Sequence, residues 1–449
     1  MRRLLLGAAL IAAPALADQQ FPATLAGHAI LPAATFIAPP GGAPPGFAIS
    51  GRYTGPGNRP VQQPESIPGT TGPAPNGRST GIALPFRGQP VQGFSGIKPV
   101  GDGSYWVLTD NGFGNRRNSP DALLFFSRVR PDFANGQVRV EETVFLRDPD
   151  RVLPFAIATD ATAERFLTGA DLDPESIQPL GEQFYIGEEF GPYLIRVDRT
   201  GKVTGFRETS LEGKVIRSPD NHANLIPANP TQPVAFQTQR SGGYEGMAAS
   251  PDGKRLFALL EKPVLGADGK PEGQFLRIIE FSTETEAWTG RALKFALAPG
   301  ATAIGDFNMI DDRRALIIER DDGEGDPARA CAQGRTPPAC FHNPARVKRV
   351  TLVDLGAVDA EGFVRKIGHI DLMAITDPDG KARQVGDRGE NAAGFIFPFF
   401  TIENVAMVDA DHIIVANDNN LPFSAGRHLT RADDNEFILL RVPELLRAR

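Results

Sequence analysis

The feature that most constrains this chain is a hairpin-like segment that occurs five times. The copies are FSGIKPVGDGSYWVLTDNG (94–112), PESIQPLGEQFYIGEEFG (174–191), YEGMAASPDGKRLFALLEKP (244–263), GDFNMIDDRRALIIERDDG (305–323) and ENVAMVDADHIIVANDNN (403–420). Each has a short apolar strand, a turn rich in Asp, Gly or Pro, and a second apolar strand that ends on an acidic residue. Turn pairs such as Asp102-Gly103 and Asp252-Gly253 are those that β-hairpins need. The copies start roughly 60 to 100 residues apart, which leaves room for two more strands in each unit. YLIRVDRTGKVTGFRE (193–208) reads as such a pair.

A recurring four-stranded unit predicts an all-β chain folded as a β-propeller. The spacing exceeds that of WD repeats and no Gly-His…Trp-Asp pair recurs, so the blades should be irregular, with long loop insertions. Six blades is the count the spacing favours, because RVKRVTLVDLG (346–356) and FVRKIGHIDL (363–372) fall between the last two copies. Five and seven are the neighbouring counts. The competing fold is a β-sandwich with chance similarities. A strand near 24–37 is expected to complete the last blade and close the ring. With 48 Gly and 39 Pro, the composition also favours short strands joined by turns over a helix bundle.

The N-terminus reads as a leader. Arg2 and Arg3 precede an apolar run over residues 4–16, and Ala15-Leu16-Ala17 offers a small-residue cleavage site before Asp18. Residues 1–17 are therefore expected to be a signal peptide, cleaved after Ala17, with the mature protein periplasmic or secreted. Residues 18–90 form an N-terminal strand and a Pro/Gly-rich loop segment, and 91–449 the propeller domain. No later run is long and apolar enough to span a membrane. In an oxidising compartment, Cys331 and Cys340 of CAQGRTPPAC are expected to form one disulfide. The formal net charge of -7 argues against nucleic acid or anionic lipid as the main partner and suits cations. A monomer acting on a small molecule is the simplest expectation.

Hairpin geometry gives the acidic endings a meaning. The start of the first strand lies beside the end of the second. Glu175 thus meets Glu189, Glu245 meets Glu261, and Glu403 meets Asp418. Asp110 closes the first copy opposite Ser95, and Glu319 closes the fourth opposite Asp306. The first strand of each blade lines a propeller's channel, so these acids should converge at one mouth. Crowded carboxylates must protonate, gain cationic partners or bind metal. The candidate ligands are Asp110, Glu175, Glu189, Glu245, Glu261, Glu319, Glu403 and Asp418. An all-oxygen set of this kind suits Ca²⁺, and Mg²⁺ or Mn²⁺ less well. The alternative is a structural network in which Arg240, Arg313 and Arg320 neutralise the acids.

Three residues are candidates for catalysis. Glu245 is placed at the mouth, His222 lies in the polar loop SPDNHANLIP (218–227) as a general base or an ordinary loop histidine, and Arg240 could bind a phosphate or carboxylate group or pair with Glu245. ERDDGEGDP (319–327) could be a solvated Ca²⁺ loop or a charged surface loop; it lacks the EF-hand ligand pattern. No G-x-S-x-G elbow, Walker A loop, dinucleotide fingerprint or HExxH motif is present.

Taken together, DPESIQPLGEQFYIGEEFGPYLIRVDRTGKV (173–203), QRSGGYEGMAASPDGKRLFALLEKPV (239–264), ENVAMVDADHIIVANDNN (403–420) and the SGI…TDNG block at 94–112 resemble the phytase-like domain family, described by esterase-like activity of phytase. Asn404-Val405 departs from the Glu-Gly usual in the last block. The resemblance implies an exported propeller and, more weakly, hydrolysis of ester bonds. Three functions follow: a Ca²⁺-dependent ester or phosphoester hydrolase at the channel mouth, a metal-dependent lactonase-type propeller, and a non-catalytic periplasmic binding or scaffold propeller. A phosphate substrate predicts basic residues at the mouth, a lactone an apolar cavity, and a scaffold acids paired off by arginines.

Overall fold

Four-stranded antiparallel sheets recur around a central axis in a computed structural model, which describes residues 19–73, 75–225, 234–332, 334–383 and 394–449. The leader read in residues 1–17 lies outside the described residues. The first sheet comprises Phe94–Pro99, Tyr105–Thr109, Phe125–Asp132 and Gln137–Phe145, and the second Pro174–Leu180, Gln183–Glu188, Tyr193–Asp198 and Val203–Glu208. Gly246–Ala249, Arg255–Leu259, Leu276–Ser282 and Ala287–Phe295 form the third. The fourth contains Ala303–Met309, Arg314–Arg320, Lys348–Val358 and Val364–Asp371, with Gln19–Phe21 added in parallel at its rim. Thr401–Met407, His412–Asp418 and Asn435–Arg441 make the fifth, and Thr24–Leu31 is its outer strand, antiparallel to Asn435–Arg441.

The first strands of the five sheets pack on one another in ring order, and the fifth returns to the first. The chain is a β-propeller, and among the described residues it has five blades rather than the favoured six. The strands between the last two hairpin copies explain the difference. Lys348–Val358 pairs with Arg314–Arg320, and Val364–Asp371 pairs with Lys348–Val358. They finish the fourth blade, and among the described residues no four-stranded sheet is left for a sixth.

Burial on both faces of every blade holds the ring. Each neighbouring pair of blades shares one apolar cluster. Leu108 and Phe126 meet Phe184 and Ile195 between the first and second, and Tyr185 and Leu194 meet Leu256 and Ile279 between the second and third. Phe257 and Ile278 meet Ile317 and Val353, Leu316 and Val350 meet Val405 and Ile438, and Val107 and Phe125 meet Ile414 and Phe437. This is why the strands read as nearly continuous apolar runs. A five-membered ring brings the inner strands close together. A Cβ on Gly305 would lie 2.1 Å from the Ile402 carbonyl oxygen, so only glycine fits there.

Two features build the rim. The Pro/Gly-rich segment forms short two-stranded ladders, Ile49–Ser50 with Phe86–Arg87 and Ile67–Thr70 with Ser79–Leu84. Its Arg78 donates to the Leu429 carbonyl and pairs with Glu324, which ties the segment to the fourth and fifth blades. Cys331 and Cys340 form the expected disulfide, in the long loop between the second and third strands of the fourth blade.

Candidate metal centre at the channel mouth

The inner hairpins place their strand ends in one layer at a channel mouth. At the opening position stand Ser95, Glu175, Glu245, Gly305 and Glu403. At the closing position, where backbone bonds join Asp110 to Gly93, Glu189 to Asp173 and Glu261 to Gly243, stand Asp110, Glu189, Glu261, Arg320 and Asp418. Seven of the eight acids read from the sequence are thus brought together.

Glu319 is the exception. Strands alternate their faces, and Arg320, not Glu319, occupies the closing position of the fourth blade. Glu319 instead accepts from Arg349 at 2.9 Å, Lys366 at 2.8 Å and Thr351 at 2.5 Å. Burial alone would raise its carboxyl, but Lys366 and Arg349 overrule that and hold it below its ordinary range. The endings TDNG, EEFG, LEKP, ERDD and NDNN carry the correct register: their second letters are Asp, Glu, Glu, Arg and Asp. Asp306 likewise lies in the wall, accepting from the Val405 amide at 3.0 Å and from Asn308 at 2.8 Å.

Two members were missed from the sequence as parts of the site. Asp173 enters immediately before the second inner strand, 4 % exposed, and Lys262 pairs with Glu261 at 2.9 Å. The one guanidinium in the layer, Arg320, approaches Glu403 at 3.0 Å, Glu245 at 3.3 Å and Glu261 at 3.5 Å. Eight carboxylates therefore face two cations, and these pair with Glu245, Glu261 and Glu403.

The electrostatics show the imbalance. Burial first, then the neighbouring acids, push Glu175, Glu189 and Glu245 well above the usual carboxylate range, and Asp110 with them. Burial raises Asp173 and Asp418 to about 6 and Glu403 to about 7. Asp173 is the neighbour that raises Glu175 most, and Glu403 the one that raises Glu245 most. Carboxylate oxygens of Asp173, Glu175 and Glu189 lie within 4.8 Å of one another, and so do those of Glu189, Glu245 and Glu261. Glu189 belongs to both triads. Its Oε1 is buried and has no hydrogen-bond partner among the described residues. A polar atom left so usually costs about 1–3 kcal/mol. The spans suit oxygen ligands around a Ca²⁺-sized ion, for which each bond is about 2.3–2.6 Å.

The pH dependence of stability follows. In the folded chain these acids hold protons that the unfolded chain has already released, so between roughly pH 4 and pH 7 the folded state binds more protons. The contribution of these acids to the stability of the metal-free protein is greatest below that window and falls as pH rises through it. With chelator present, the melting temperature is expected to be about 5 °C lower at pH 8 than at pH 5.5. Ca²⁺ added at pH 8 should close most of the gap. A chelated protein whose melting point is flat across this range would show that the mouth acids are not under strain.

The other candidates sit beside the mouth. The His222 ring stacks on Phe155, with centroids 3.8 Å apart. Its Nε2 lies 2.7 Å from the Asp171 carbonyl oxygen, which can only accept, so Nε2 carries the hydrogen. Its Nδ1 then accepts from Arg116 at 3.1 Å. Burial, then Arg116, hold the imidazole down at about 4. Both nitrogens are engaged, so His222 has no free atom with which to act as a general base; it positions Arg116. Arg240 pairs with Asp220 and not with Glu245. Arg313 pairs with Asp354 at 2.9 Å. In ERDDGEGDP the acids are committed to the protein: Asp321 holds Lys348 at 3.1 Å, Asp322 accepts from Thr302 at 2.9 Å, and Glu324 accepts from Ser424 at 2.9 Å. Asp326 caps the turn at Pro327–Arg329.

Comparison with known sequences identifies the architecture's lineage. The sequence profile described as "Phytase-like: Esterase-like activity of phytase" matches residues 89–421, which include all five inner hairpins and every residue of the mouth. This chain belongs to the phytase-like family. An uncharacterized secreted protein of Arthroderma benhamiae is 23% identical over 240 residues, 41% of this chain and 46% of that protein. The match thus spans about half of that relative's length. Among solved structures, the glutaminyl cyclase of Myxococcus xanthus superposes with a TM-score of 0.36 at 11% identity, over 78% of this chain and 91% of that one. The PQQ-bound aldose sugar dehydrogenase of Streptomyces coelicolor gives 0.35 at 12%, over 78% and 95%. The Dos1 propeller gives 0.30 at 9%, over 81% and 74%. Among the described residues, no helix is long and apolar enough to cross a membrane.

Proposed function

We propose that this phytase-like propeller is an exported, Ca²⁺-dependent hydrolase of ester bonds, with phosphoesters its best substrates, acting at the channel mouth. Glu189 carries the reading: it belongs to two carboxylate triads, and its buried Oε1 has no hydrogen-bond partner among the described residues. The two cations at the mouth, Arg320 and Lys262, cannot neutralise eight acids. Asp173, Glu175, Glu189, Glu245 and Glu261 would hold the ion, and Asp110 and Asp418 add charge beside it. Mg²⁺ and Mn²⁺ fit a flexible, carboxylate-only cradle less well. A cation held there supplies positive charge for a phosphoryl or carbonyl oxygen and favours ionisation of a water.

The chain's own groups do the rest. Arg320 pairs with Glu245 and with Glu403 and so holds Glu245 in place beside a second carboxylate. In hydrolysis the water oxygen bonds to phosphorus as the ester P–O bond breaks. Glu245 takes one water proton and returns it to the departing alkoxide, and the other stays on the new phosphate.

A carboxylic ester or lactone is the second reading. It is favoured by a 470 Å³ cavity beside Asn420, whose wall includes Phe341, Phe400 and Phe423. The test is a panel of aryl phosphate mono- and diesters, phytate, aryl carboxylic esters and lactones, given to the purified mature protein with Ca²⁺ or with chelator, beside Glu245→Gln. Ca²⁺-dependent turnover lost in the variant is the expected result, and the best substrate selects between the two readings. No turnover by the folded, Ca²⁺-loaded protein would leave the binding or scaffold role.

A further inference from the structure

Next to the acidic mouth lies a pocket of opposite character. It has a volume of 610 Å³ and is lined by Asn58, Asn115, Arg116, Arg117, Asp220 and Arg240. Three guanidinium groups face one carboxylate there, in a protein whose net charge is -7. We propose that this pocket is an oxyanion subsite, which holds a phosphate or carboxylate group of the substrate away from the bond that is cleaved.

The position of the pocket ties it to the mouth. Arg116 donates from Nε to the Ala170 carbonyl at 3.1 Å and from Nη1 to the Asp220 carbonyl. Its Nη2 donates to His222 at 3.1 Å, and its guanidinium lies over the Phe190 ring, the residue after Glu189. The Asp173 carboxylate is hydrogen-bonded by the backbone of Asn111, at the start of the loop that carries Asn115, Arg116 and Arg117. The same short loop therefore borders both sites.

The chemistry is that of a built anion site. All three side-chain partners of Arg116 are neutral acceptors, so its orientation is fixed while its charge is not cancelled by contact with a carboxylate. Three of its five N–H groups are used, which leaves two to donate. His222 supports this because it is locked in the tautomer that accepts at Nδ1. Arg117 is exposed and makes no side-chain hydrogen bond or ion pair among the described residues. Arg240 is tied to Asp220 but is 57% exposed, so it can turn toward a ligand. Guanidinium forks recognise carboxylate and phosphate oxygens in pairs. The 470 Å³ cavity offers a contrast, since its single arginine, Arg78, is already paired with Glu324.

The proposal rests on the mouth reading only for where the bond breaks; binding of the anion can be measured without it. Calorimetric titration of the metal-free mature protein, in chelator, with inorganic phosphate and separately with malonate removes any contribution from a cation at the mouth. Binding of at least one of them is expected, and the tighter names the oxyanion. Arg117→Gln should weaken it about five- to tenfold with the melting temperature unchanged, because that side chain is exposed, and the Arg117→Gln/Arg240→Gln double variant should abolish it. Failure of both anions to bind, or binding unaltered in the double variant, would overturn the subsite. Anion binding that persists in a protein without hydrolytic activity would reject the mouth reading and keep the subsite. Hydrolysis without anion binding would do the reverse.

Discussion

Glu189→Gln is expected to lower Ca²⁺-dependent hydrolysis by about 10²–10³-fold, the scale of losing one preorganised charged group from a reacting centre. Glu189 belongs to both oxygen triads, and no other residue does. An amide keeps the volume and one oxygen but removes the charge. It also relieves repulsion from Glu261 and Glu245, the neighbours that help to raise Glu189. The metal-free variant should therefore be as stable as the parent or more stable at pH 8, while it loses the Ca²⁺-induced rise in melting temperature. Gain in one property and loss in the other distinguishes a ligand from a structural residue. A variant that loses stability without Ca²⁺ and keeps its response to Ca²⁺ would place the ion elsewhere.

Arg320→Met is expected to act in the opposite sense. The guanidinium touches Glu245, Glu261 and Glu403 within 3.5 Å, and it is 5 % exposed. Methionine fills much of the same space without charge. Three buried acids then face one another with only Lys262 nearby. Removing one partner from a buried ion network typically costs about 3–5 kcal/mol. That cost should appear in denaturant titrations at pH 8 with chelator. It should shrink at pH 5.5, where the acids take up protons, and again with Ca²⁺. A loss of stability that neither pH nor Ca²⁺ changes would mean that Arg320 acts through packing, for instance against Phe400, over which its guanidinium lies.

Much of this arrangement was legible in the sequence, because the inner hairpins carry their chemistry at fixed positions. Turn residues marked each hairpin, and the acids at their ends marked one edge. The blade count was less legible. The fourth blade spreads its strands across a long loop with a disulfide, so Lys348–Val358 and Val364–Asp371 looked like spare strands. Glu319 shows the limit of reading an ending without its register: adjacent strand residues point to opposite faces, and one position decides between a salt-bridged acid in the blade and an arginine in the channel. His222 shows another. A histidine in a polar loop suggests proton transfer, but only the structure shows that both nitrogens are engaged. The arginine pocket joins Arg240, which the sequence offered for anion binding, to Arg116 and Arg117 from a distant loop, a pairing that no local pattern announced.

The most direct measurement is an anomalous difference map from crystals of the protein without residues 1–17 grown with Ca²⁺ and, in parallel, with Mn²⁺ as a stronger scatterer. A peak about 2.3–2.6 Å from a Glu189 oxygen, with further oxygens from Asp173, Glu175, Glu245 or Glu261, is the expected result. A mouth without a peak, in which Glu189 Oε1 is bonded to a proton donor of the chain or to water, would contradict the metal centre.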